Sequence, residues 1–168
     1  ADCDRALNLK PSFAEALVSR GNAYAELGQD ARAISDYNRA IAIDPGYYLG
    51  LYNRGLFYVD KGQFDKAIHD LDRAIRKAPE KPYCYFQRGR AYKGKLMFAE
   101  AVSEFSRAIE LEPEYAIAFA LRAECFEQLG ETEKATADRD RAIVLGLEST
   151  ELDENEAKEA TQDTQTGP

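Results

Sequence analysis

What is scarce in this chain of 168 residues narrows its chemistry before any pattern is read. It has no tryptophan, a single histidine (His69), and three cysteines, Cys3, Cys84 and Cys125, without CxxC spacing. One imidazole cannot build a multi-histidine metal site, and scattered thiols make neither a zinc ribbon nor a disulfide framework. His69 also lacks a nucleophile and carboxylate at any recurring spacing, so no catalytic triad is implied. The cysteines read instead as packed thiols in a reducing compartment, and the cytoplasm is the expected location. No apolar run approaches the roughly 20 residues of a membrane span, and no signal peptide is visible.

Positive charge is also scarce. The formal net charge is −8. Residues 148–168 hold seven acidic side chains and one lysine, which is −6, leaving −2 for everything before them. No basic stripe exists for a nucleic-acid backbone, so a nucleic-acid partner is not expected. The acidic segment has no aromatic residue and closes on TQDTQTGP, the composition of a mostly disordered tail.

What the chain does have is a period of 34 residues. Gly21, Gly55, Gly89 and Ala123 share one register; so do Tyr24, Tyr58, Tyr92 and Phe126, and so do Ala33, Ala67, Ala101 and Ala135. Ala6, Ala40, Ala74, Ala108 and Ala142 form another row, and Pro11, Pro45, Pro79 and Pro113 another, broken only at Leu147. Within the copy at 48–81, Leu51, Gly55 and Tyr58 fall at i, i+4 and i+7. After Lys61-Gly62-Gln63, Phe64, Ala67, Ile68, Leu71, Ala74 and Ile75 resume a 3.6-residue period. Each copy is therefore two helices, the first ended by a glycine able to adopt the left-handed conformation, the second stopped by proline. Small residues at Gly55, Ala67 and Ala74 mark where the two backbones come closest.

These residues resemble the tetratricopeptide repeat, a 34-residue helix-turn-helix unit, matched by Leu51, Gly55, Tyr58, Ala67, Leu71, Ala74 and Pro79. Leu17, Leu51, Tyr85 and Phe119 take the place of the usual opening tryptophan. The resemblance implies an all-α fold, an α-solenoid in which antiparallel helix pairs stack into a right-handed superhelix. Its units are 14–47, 48–81, 82–115 and a capping unit at 116–147, where Thr136 and Arg139 replace the apolar residues of earlier copies. Residues 1–11 read as the second helix of a truncated upstream unit, whose uncovered flank is a candidate for self-association.

A charged ladder repeats with the units. Arg20, Arg54, Arg88 and Arg122 lie in first helices, and Asp36, Asp70, Glu104 and Asp138 in second helices. Alternating opposite charges on neighbouring helices predict internal ion pairs rather than an anion-binding ridge.

The resemblance also implies function. In tetratricopeptide arrays the first helices line a concave groove, here formed by Val18, Asn22, Leu49, Tyr52, Asn53, Leu56, Tyr83, Phe86, Gln87 and Arg90. Two asparagines match the family's dicarboxylate clamp, but Val18, Tyr83 and Gln87 stand where its cations belong. A terminal carboxylate would lose water there and gain no ion pair, so a chaperone-tail receptor is not expected. The expectation is an adaptor without catalysis or cofactor that holds a partner's peptide, anchored on Tyr52, Tyr83 and Phe86. The alternatives are the substrate-recruiting arm of a larger enzyme, resembling repeats fused to glycosyltransferases, and a self-assembling scaffold.

Overall fold

The computed structural model describes residues 13–147. They form eight α-helices and, among the described residues, no strand: α1 (Ala14–Glu26), α2 (Asp30–Ile43), α3 (Tyr48–Asp60), α4 (Phe64–Lys77), α5 (Pro82–Gly94), α6 (Phe98–Leu111), α7 (Ala116–Gln128) and α8 (Thr132–Val144). Expectations for residues 1–12 and 148–168, including the truncated upstream helix, its self-association and the acidic tail, lie outside the described residues.

Consecutive helices pack as hairpins, α1 on α2 through α7 on α8, and each hairpin packs on the next. First helices also touch one another directly, α1 on α3, α3 on α5 and α5 on α7. That places the first helices on the inside of the curve and the second helices outside. The product is a tetratricopeptide-type α-solenoid.

The reason for the glycine row is steric. A Cβ on Gly21 would sit 2.7 Å from Tyr37 Cε1, on Gly55 2.9 Å from Leu71 Cγ, and on Gly89 2.7 Å from Phe105 Cε1. Each missing side chain thus admits a large, fully buried one from the partner helix: Tyr37 is 2% exposed, Leu71 and Phe105 0%. In the last hairpin both members change together. Ala123 stands in the glycine row, and Arg139, in place of the bulky residue, turns out to pair with Glu127. The alanines at 33, 67, 101 and 135 and at 40, 74, 108 and 142 are all fully buried, because there the backbones leave room for a methyl group only.

The turns inside the hairpins are left-handed at Gly28, Gly62 and Gly130, with φ of 69°, 67° and 76°. The third hairpin departs from the pattern, for Leu96 takes that conformation at φ 60° with an exposed side chain. Gly94, two residues earlier, lies where a Cβ would strike the Phe64 ring of the preceding hairpin.

The charged ladder pairs internally. The guanidinium of each first-helix arginine donates twice to a carboxylate 16 residues on: Arg20 to Asp36, Arg54 to Asp70, Arg88 to Glu104 and Arg122 to Asp138, at 2.6 to 2.9 Å. Among the described residues these arginines also reach back to the preceding hairpin, Arg54 to Asn38, Arg88 to Asp72 and Arg122 to Ser106. One side chain therefore closes a hairpin and fastens it to its neighbour. Burial pushes the Glu104 carboxyl up despite Arg88, and Asp72, competing for the same guanidinium, pushes it further.

Candidate peptide-binding face

The inner wall is built from first helices alone, so its side chains are those that neither the hairpin seam nor the stacking seam takes up. Leu49, Tyr52 and Leu56 on α3 and Tyr83 on α5 are half-buried and form its apolar strip. The Tyr52 ring meets Tyr83 edge to face with centroids 4.8 Å apart, and the Tyr83 and Tyr48 hydroxyls are hydrogen-bonded at 2.7 Å.

The polar residues around that strip are already bonded. Asn22 Oδ1 accepts from the Tyr37 hydroxyl at 2.7 Å, and Asn53 Nδ2 donates to the Leu49 carbonyl at 2.7 Å. Gln87 Oε1 accepts from Arg90 at 2.9 Å. Arg90 in turn reaches Asp60 of the preceding hairpin at 3.3 Å, and Lys93 pairs with Glu124 of the next. The amides are held in one orientation, each with capacity left for a further bond.

Three residues assigned to the groove sit deeper than the rest, one of them Gln87 at 8% exposed. Val18 is 5% exposed within the core of the first hairpin, and Phe86 is 7% exposed, its ring 5.7 Å from Phe105 and 4.9 Å from Tyr115. Both occupy the turn of the first helix that faces the next first helix, so they form the floor of the wall. Sequence reasoning missed Tyr48 and Tyr115, which touch the wall diagonally across hairpins. The only available signal was the tyrosine-rich run at 47, 48, 52 and 58.

Electrostatically the strip is neutral. Burial pushes the Tyr52 hydroxyl up, and burial with the Tyr48 hydroxyl does the same to Tyr83. Tyr115 is pushed up to about 12 by burial, and Tyr37 to about 12 by burial and by the carboxylates of Glu26 and Asp60. All four keep their protons at neutral pH and act as hydrogen-bonding hydroxyls. Cys84 and Cys125 are buried, and desolvation lifts the Cys84 thiol to about 12, which leaves it an unreactive packing group. His69 is exposed. Among the described residues no cluster of three or more His, Cys, Asp or Glu could hold a metal, and no helix is long and apolar enough to cross a membrane.

A curved stack of identical-length hairpins with an inner wall of aromatic and amide side chains defines an α-solenoid that serves as a protein–protein interaction scaffold. The chain belongs to the tetratricopeptide repeat family, whose profiles match residues 14–47, 48–81 and 86–146. No curated protein matches the sequence. Among solved structures it is similar to the crystal structure of MamA, with a TM-score of 0.76 at 21% identity over 93% of this chain and 87% of that one. MamA 41-end from Desulfovibrio magneticus RS-1 gives 0.75 at 20% identity, covering 83% and 78%. MamA MSR-1 gives 0.68 at 27% identity, covering 85% and 78%. At these identities the likeness speaks to the solenoid fold.

Proposed function

We propose that the inner wall holds a peptide segment of a partner protein, laid along the first three hairpins with apolar side chains on Leu49, Tyr52, Leu56 and Tyr83. The observation that carries this reading is that strip itself: four half-buried apolar or aromatic side chains on neighbouring first helices, bordered by Asn22, Asn53, Gln87 and Arg90. Intramolecular bonds fix the border residues before a ligand arrives, which lowers the ordering cost of binding. Val18 and Phe86 support the surface from beneath.

The test separates surface from core. Tyr52→Ala with Leu56→Ala should weaken peptide capture about tenfold or more, while the far-ultraviolet dichroism spectrum stays unchanged. Loss of helicity in that variant, or undiminished capture, would refute the reading.

A further inference from the structure

The middle of the inner wall is a row of aromatic rings held by one another. Tyr52 meets Tyr83 edge to face with centroids 4.8 Å apart, and Tyr83 is tied to Tyr48 through their hydroxyls at 2.7 Å. Phe86, one turn further along α5, lies 4.9 Å ring to ring from Tyr115, which begins the next hairpin. Tyr48, Tyr52, Tyr83 and Tyr115 are each half-buried, so part of every ring stays open above the Phe86 floor.

The polar groups beside these rings are unevenly used. Gln87 Oε1 is taken by Arg90, which leaves that amide its N–H groups, and Arg90 has five N–H donors of which Gln87 and Asp60 take only part. The Tyr48 and Tyr83 hydroxyls carry two protons and share one bond between them, so one O–H is left to donate. On the accepting side, Asp60 is committed to Arg90, and Asn53 keeps its Oδ1 after Nδ2 has gone to the Leu49 carbonyl. The row therefore offers aromatic faces and mainly hydrogen-bond donors.

We propose that the occupant of the groove is a proline-rich segment in the polyproline II conformation, its pyrrolidine rings on Tyr52, Tyr83 and Tyr115 and its carbonyls accepting from Arg90 and the tyrosine hydroxyls. The proposal deepens the peptide-binding reading and rests on it. Charge complementarity at the level of hydrogen bonds selects this occupant, partial positive N–H and O–H against carbonyl oxygen. A polyproline II backbone makes no internal bonds, so all its carbonyls are free, and proline brings no N–H. A helical segment uses its carbonyls within itself. An extended segment without proline brings an N–H for every carbonyl to a surface with little to accept it. The proline-rich chain is also ordered before it binds, which lowers the entropy lost on docking.

The probe is a degenerate peptide library selected on the full chain, followed by titration of a recovered binder. Proline should be enriched among the binders. Replacing by alanine one proline seated between the rings removes two ring methylenes and should weaken binding about tenfold. Tyr48→Phe with Tyr83→Phe keeps both rings, orphans neither hydroxyl, and should weaken the same binder about threefold or more, with the far-ultraviolet dichroism unchanged. Binders without proline enrichment, or indifferent to proline replacement, while Tyr52→Ala with Leu56→Ala still abolishes their capture, would overturn this proposal and leave the groove reading standing. An unchanged affinity in a folded double phenylalanine variant would overturn it as well. Proline-rich binders that survive Tyr52→Ala with Leu56→Ala, or recovery of no binders, would overturn both.

Discussion

Replacing Asp70 tests how the hairpins are held together. Its carboxylate is 1% exposed and takes two bonds from Arg54, whose side chain is 16% exposed, with Arg73 standing off at 3.9 Å. In Asp70→Leu the guanidinium keeps only Asn38 and a little water. In Arg54→Met the carboxylate keeps only Arg73. Removing one partner of a buried pair costs about 3–5 kcal/mol, because the other charge stays desolvated, whereas replacing both by apolar groups of similar volume is near neutral. Partial exposure of Arg54 puts each single variant near the lower bound, about 3 kcal/mol, and the double variant within about 1 kcal/mol of the parent. For a chain of this size each single variant should melt roughly 6–12 °C lower. The assay is a double-mutant cycle by urea denaturation, followed by far-ultraviolet dichroism, with hydrogen exchange to show whether α3 and α4 open before the rest. A coupling energy below about 1 kcal/mol, the value of an exposed pair, would refute the claim that these arginines clamp the solenoid.

Three further outcomes follow from the packing and charge. Gly89→Ala should destabilise by about 1–3 kcal/mol, since its methyl meets the buried Phe105 ring at 2.7 Å; Phe105→Leu in the same chain should recover part of that loss in thermal melts. Leu96→Gly should stabilise by about 0.5–1 kcal/mol, relief of the left-handed strain exceeding the added freedom of the unfolded chain, while Gly62→Leu should do the reverse. Glu104 has a raised pKa in the fold, so the folded chain binds its proton first. Its contribution is full below the ordinary glutamate value of 4.5 and is lost as pH rises through the folded value. Glu104→Gln should flatten that part of the stability profile between neutral and mildly acid pH.

The period of 34 residues made the hairpins and the arginine pairs legible, because both are repeated relations between fixed positions. Gly55 and Leu71 lie 16 apart, as do Arg54 and Asp70, so a spacing seen four times translates directly into contact. The wall was harder to read because it depends on what neighbours leave exposed. Asn22 looks like a free amide in the sequence, yet Tyr37, 15 residues later, already bonds it. Phe86 looks like an anchor, yet Tyr115 and Phe105 cover it. Tyr48 and Tyr83 meet at a separation of 35, off the repeat register, where no periodic argument would search. Gly94 leaves room for the Phe64 ring, a demand that comes from another hairpin.

The back-reaching arginine bonds have a mechanical meaning. At the middle junction the Arg88–Asp72 bond is joined by the ion pairs Arg90–Asp60 and Lys95–Asp65, whereas at the outer junctions the bonds to Asn38 and Ser106 are joined by Lys61–Asp30 and Lys93–Glu124. Under tension applied at its ends, the array is expected to peel from the outside inward, the middle two hairpins holding as one block until last. Salt, which weakens the ionic ties concentrated at the middle junction, should even out that order.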